Sequence, residues 1–91
     1  MRLKWSSEAQ RDYYDQIGYI AERNFPAARK IQNRVSKSIE LLRLHPEIGR
    51  PGRVEGTREL IVSGAPLIVI YSFADNCIVI IGILNTYMDY P

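Results

Sequence analysis

The chain has 91 residues, 46% of them hydrophobic, and a net charge of +2, which is room for one domain with a modest core. Cys77 is its single cysteine, so no internal disulfide braces the fold, and a lone thiol fits a reducing cytosol; the expected location is cytoplasmic. No apolar run is long enough to cross a bilayer, Met1–Ser7 does not read as a secretory signal, and one histidine, one cysteine and scattered acids make no metal site, so membrane, exported and metal-dependent classes are set aside.

Met1 to Trp5 reads as a short first strand. Ser6 and Ser7 are candidate N-caps, and Ser7-Glu8-Ala9-Gln10 has the form of a capping box. A helix then runs to about Arg23, with Ala9, Tyr13, Ile17, Ile20 and Ala21 on one face. Asn24-Phe25-Pro26 breaks it, because a proline ring disfavours helix in the residue before it and suits the first turn of the next. The second helix carries an apolar stripe of Ala28, Ile31, Val35, Ile39 and Leu42, with Arg29, Lys30, Arg34 and Lys37 mostly off it, and ends at His45-Pro46. The short link makes the pair an antiparallel helical hairpin.

Near residue 50 the apolar period changes from helical to strand-like. Glu47 to Gly56, with Gly49, Pro51, Gly52 and Gly56, has loop composition. Three strands follow: Arg58 to Val62, Leu67 to Phe73, and Cys77 to Leu84, separated by Gly64-Ala65-Pro66 and the tight turn Asp75-Asn76. The expected class is α+β: an N-terminal strand, a two-helix hairpin and a three-stranded antiparallel C-terminal sheet, in one domain over 1–91. The Leu67–Tyr71 and Ile78–Ile81 runs are apolar at every position, as in strands covered on both faces. Two helices cover only one side, so the other is expected to stay partly open and apolar, which marks an interaction surface.

All 12 basic residues lie in 1–58, and the later charges are Glu59, Asp75 and Asp89 alone. The basic part suits an acidic partner, protein or nucleic acid, or is simply a solvated helical surface. Arg50, Arg53 and Arg58 gather around the Gly/Pro loop, either as a contact patch or with Arg58 paired to Glu59 or Glu55 to fix the loop. His45 has no identifiable acid–base companion and reads as a structural or surface residue. No phosphate loop and no cofactor motif is present, since Gly49-Arg50-Pro51-Gly52 lacks the Walker lysine.

Several segments, in order, resemble the RelE/ParE toxins. They are Ala9, Asp12, Ile17 and Tyr19-Ile20-Ala21-Glu22; Pro26-Ala27-Ala28; Leu41-Leu42 leading into His45-Pro46-Glu47-Ile48-Gly49-Arg50-Pro51-Gly52-Arg53; Gly56-Thr57-Arg58-Glu59-Leu60; Pro66-Leu67-Ile68-Val69-Ile70-Tyr71; and Ile83-Leu84-Asn85-Thr86-Tyr87-Met88-Asp89-Tyr90-Pro91. The resemblance implies the toxin of a type II toxin–antitoxin pair, of the kind also called plasmid stabilisation proteins. It implies a partner antitoxin, ParD-like or similar, that folds as it wraps the toxin.

The resemblance leaves two activities. RelE-type members cut mRNA on the ribosome and place an arginine where this chain has Ile68, and basic or histidine residues at the end of the last strand. Here that segment offers Asn85, Thr86, Tyr87 and Tyr90, which are poor proton carriers near neutral pH. ParE-type members bind DNA gyrase and stabilise its cleavage complex, which needs differential affinity and no catalytic group. The ParE-like reading is favoured, with no catalytic residue, no metal and no cofactor. The residues assigned to target or antitoxin contact are Arg50, Arg53, Arg58, Asn85, Tyr87, Met88 and Tyr90. Asn85 and Met88 depart from the histidine and arginine of many ParE-like sequences, which leaves an attenuated toxin that still binds its antitoxin as an alternative. A general nucleic-acid-binding domain and a structural assembly subunit are the two readings outside the toxin class.

Overall fold

A computed structural model describes residues 1–86. In chain order these form β1 (Arg2–Trp5), α1 (Ser7–Arg23), α2 (Phe25–Leu44), a single 3-10 turn (Pro46–Ile48), β2 (Arg50–Pro51), β3 (Arg58–Ile61), β4 (Leu67–Ala74) and β5 (Cys77–Asn85). The α+β class and the order of elements agree with the sequence reading. The three C-terminal strands are antiparallel as expected, but the sheet is larger and mixed, with order β1-β5-β4-β3-β2. β1 joins β5 in parallel, with Leu3 opposite Ile78 and Trp5 opposite Ile80, and the two-residue β2 pairs with β3 at the far edge.

Local chemistry explains the boundaries. Ser6, not Ser7, caps α1: its Oγ accepts the Ala9 N–H at 3.0 Å and donates to the Ile81 carbonyl at 3.1 Å, which leaves Ser7 inside the helix and the expected capping box unformed. Asn24 ends α1 and caps α2, accepting the Ala27 N–H at 3.0 Å, with Pro26 in the first turn. Asp75 and Asn76 both have positive φ (51° and 59°), the conformation of a two-residue type I′ hairpin whose twist matches the strands it joins.

Side-chain alternation divides the sheet into two faces. Leu67, Val69 and Tyr71 of β4 and Ile78, Ile80 and Ile83 of β5 point inward and are fully or almost fully buried. They form one core with Ala9 of α1 and Val35, Ile39 and Leu42 of α2, while Leu3, Trp5, Tyr13 and Phe73 close its margins. Burying such side chains stabilises by about 1.5–3 kcal/mol each, and this core holds most of the fold's apolar burial. Both helices therefore cover the same side of the sheet. A register shift at Ile70/Tyr71 sets Ile70 opposite Gly82 and Tyr71 opposite Ile80, so Ile81 is an extra residue, and the bulge lets Ile80 and Ile83 both face inward.

β1 stops opposite Ile80, and β5 runs on to Asn85. Side chains of α1 take over the exposed strand edge: Asp12 Oδ2 accepts the Ile83 N–H at 3.4 Å, and Gln16 Nε2 donates to the Ile83 carbonyl at 2.8 Å. An edge left bare would offer a template for unwanted pairing, and here a helix blunts it.

Candidate partner-binding surface

The outward residues of β4 and β5 are Ile68, Ile70, Ser72, Val79, Ile81 and Leu84, by alternation from the buried set. Ile70, Val79, Ile81 and Leu84 are half-buried and belong neither to the core nor to its packed margin. Ile68, on the same face, is buried, so the open part of the strip is these four. Cations stand at both edges of this apolar strip. Arg2 and Lys4 of β1 are exposed, opposite Cys77 and Val79, and Arg50 of β2 lies at the other edge. The acid on this face, Glu59, is 4% exposed, and Arg50 covers it. The surface is thus apolar along its middle and positive at its rims.

The loop beside β2 is fastened by three side chains of β3 and β4. Glu59 Oε1 accepts from Arg50 Nη2 at 3.1 Å and Nε at 3.3 Å, and Oε2 accepts the Arg53 backbone N–H at 3.2 Å. Arg58 does not pair with Glu59 or Glu55: register puts it on the opposite face from Glu59. Its Nη1 donates to the Gly49 and Glu47 carbonyls at 2.8 and 3.1 Å, and its guanidinium stands 5.7 Å from the Phe73 ring centre. The buried Tyr71 hydroxyl donates to the Pro46 carbonyl at 2.6 Å and accepts the Gly49 N–H at 2.9 Å. Burial pushes the Tyr71 phenol above its ordinary value of 10.0, against the smaller opposing pull of the Gly49 hydrogen bond and Arg58. A shallow depression beside this loop is lined by Pro51, Gly56, Thr57, Arg58, Ser72 and Phe73.

The candidate residues do not form a single cluster. Arg50, the Arg53 backbone and Arg58 meet around Gly49 and Glu59. Asn85 lies opposite Leu67, four residues along β4 from Tyr71, the partner of Arg58. At strand spacings of about 3.3 Å per residue and 4.8 Å between strands, Asn85 and Arg58 are roughly 16 Å apart. Asn85 shares a depression with Asp15, Gln16 and Tyr19 of α1, on the helix side. Tyr87, Met88 and Tyr90 lie outside the described residues. His45 is exposed and caps α2, its backbone N–H bonded to Leu41. Sequence reasoning expected an open apolar face from the Leu67–Tyr71 and Ile78–Ile81 runs, but did not separate Ile70, Val79 and Ile81 from their inward neighbours and did not name Leu84, Arg2 or Lys4 for it. Strand alternation carried a signal for the apolar four. The β1–β5 pairing that brings Arg2 and Lys4 to the rim has none in a single sequence.

Among the described residues no group of His, Cys, Asp and Glu gathers to hold a metal, and no helix is long and apolar enough to cross a membrane. The arrangement offers hydrophobic contact, charge and hydrogen-bonding groups for a binding partner.

Residues 3–90 match the family model described as ParE toxin of type II toxin-antitoxin system, parDE. A curated relative from Sinorhizobium fredii (strain NBRC 101917 / NGR234), named "Putative toxin Y4kP", is 31% identical over 91 residues, covering 99% of this chain and 93% of the relative. Among solved structures, the fold is similar to a chain of the chromosomal ParDE system from P. aeruginosa, with TM-score 0.81 at 24% identity over 93% of this chain and 95% of that one. It is more distantly similar to YafQ from E. coli strain BL21(DE3), with TM-score 0.55 at 17% identity over 93% of each chain.

Proposed function

The chain belongs to the ParE toxin family of type II toxin–antitoxin systems, and from that premise we propose that it acts in the cytoplasm by binding DNA gyrase and stabilising its cleavage complex, and that a cognate ParD-like antitoxin silences it by docking on the outer sheet face. The observation that carries this reading is the apolar strip of Ile70, Val79, Ile81 and Leu84 between rims of Arg2, Lys4 and Arg50. An antitoxin segment that is disordered when free gains apolar burial there, and its carboxylates find cations at both edges. Arg50 and Arg53 supply contacts at one end of this face. Arg58 and Asn85 stand on the helix side, where a partner that wraps around the sheet edges meets them, and Tyr87, Met88 and Tyr90 are proposed as contacts from the sequence alone.

Inhibition by binding is favoured over RNA cleavage by the residues at hand. Ile68, 6% exposed on the outer face, stands where RelE-type toxins carry an arginine, and β5 contains no Lys, Arg or His. A base, an acid and a cation around one phosphate are what RNA cleavage demands. The test is a gyrase supercoiling and cleavage assay with purified protein. Accumulation of linear DNA that depends on gyrase supports the reading. Ribosome-dependent cuts in mRNA with no gyrase effect overturn it.

A further inference from the structure

On the far side of the molecule from the open sheet face, α2 turns a second patterned surface to solvent. Lys30, Arg34, Lys37, Leu41 and Leu44 follow one another at spacings of four, three, four and three, the spacing of a coiled-coil seam. At about 100° per residue they fall within an arc of roughly 80°, opposite the core-facing Ala28, Val35, Ile39 and Leu42. All five are exposed, Leu41 and Leu44 by 47% and 74%, and the Arg34 guanidinium lies along the edge of the seam against Gly64 of the β3–β4 turn. The three ion pairs among the described residues are Arg23–Glu22, Arg43–Glu40 and Arg50–Glu59, so the cations of the seam are not neutralised by a neighbouring acid. The helix is already anchored by its other face, and neither leucine is needed for the core.

We propose that this seam docks a heterologous amphipathic helix with acidic residues along one half of its contact stripe and apolar residues along the other. Charge decides against self-pairing. Two copies packed in parallel set Lys30, Arg34 and Lys37 against themselves. Packed antiparallel about Lys37, they bury Lys30 and Arg34 against Leu44 and Leu41. Both arrangements are penalised, whereas carboxylates opposite the three cations and leucine-like side chains opposite Leu41 and Leu44 satisfy every seam position. From Lys30 to Leu44 the seam is about 21 Å long, so the partner needs about four helical turns. Leu41 and Leu44 favour a helix over a nucleic-acid backbone, which offers phosphates but nothing to cover two leucines. The inference concerns α2 alone and does not rest on the reading of the sheet face.

The test uses the whole chain and a synthetic helical peptide of two heptads, about 21 Å long, with Leu at the a and d positions of one half and Glu at those of the other. Calorimetry is expected to show saturable binding that weakens as salt rises. The triple variant K30E/R34E/K37E weakens it by about tenfold or more, and a peptide with Lys in place of Glu restores binding to that variant. The L41A/L44A variant also weakens it, V79D on the opposite face leaves it unchanged, and circular dichroism confirms that each variant is folded. Equal binding of the Glu and Lys peptides, no binding of either, or failure of the swapped pair overturns the proposal. So does binding of a DNA duplex through the same three cations without binding of the peptide.

Discussion

Arg50 and Glu59 form an ion pair of unequal partners: the Glu59 carboxylate is 4% exposed on the outer sheet face, while the Arg50 side chain that holds it at 3.1 Å is 53% exposed. The carboxylate also accepts the Arg53 N–H, so this one acid ties both β2 and the loop after it to β3. The pair fixes the charged rim of the open face and makes the integrity of that rim depend on a buried acid.

Removing Arg50 leaves Glu59 buried without its cation. Arg50→Ala is expected to destabilise the fold by about 1–2 kcal/mol, below the range for fully buried pairs because Arg50 is half in water. Adding Glu59→Gln to Arg50→Ala is expected to recover part of that loss. Urea denaturation of the two variants checks this, and equal or greater loss in the double variant contradicts it.

The Tyr71 hydroxyl is buried between Pro46 and Gly49, so Tyr71→Phe strips a partner from the Gly49 N–H and is expected to cost about 1–3 kcal/mol. Its pKa is raised in the folded state by burial. The folded protein therefore keeps a proton that the unfolded chain begins to lose near pH 10, the ordinary phenol value. Stability from this group is intact below that pH and falls as pH rises above it. Stability measured from pH 8 to 11 is expected to drop more steeply for the native protein than for Tyr71→Phe.

Gly49 is constrained by space rather than by φ. A Cβ there would stand 2.5 Å from the Tyr71 hydroxyl oxygen and 2.7 Å from its ring edge. Gly49→Ala is expected to lower stability by about 1–3 kcal/mol through overpacking, and thermal melts of the variant measure it.

Much of the fold is legible in the sequence because period and punctuation agree. The apolar stripe of Ala28, Val35, Ile39 and Leu42, the Pro26 start and the Asp75-Asn76 turn each follow from local chemistry. What escapes is non-local. The parallel docking of β1 on β5 is set by tertiary packing, and Arg50–Pro51 forms a strand inside a stretch whose glycines and prolines read as loop. The exchange of partners around Glu59 has the same origin: Arg58 is its chain neighbour but points to the other face, whereas Arg50, nine residues away, is its cross-strand partner. Chain-end reasoning groups Asn85 with the arginines, whereas register sets it across the sheet and on the helix side.

Asp12 and Gln16 replace a β-strand as partners of Ile83. Gln16→Ala is expected to cost about 0.5–1.5 kcal/mol, and Asp12→Ala to leave the Ile83 amide without its acceptor. Hydrogen exchange at Ile83 is expected to quicken in Asp12→Ala, while the amides of Val69 and Tyr71 keep their protection.

Binding of the cognate antitoxin to variants of the open face tests the central claim most directly. Val79→Asp and Ile81→Asp place a charge in the middle of the apolar strip without entering the core. Calorimetric titration of the folded variants is expected to show affinity for the antitoxin reduced by about tenfold or more relative to the native chain. Undiminished affinity in both variants contradicts the account.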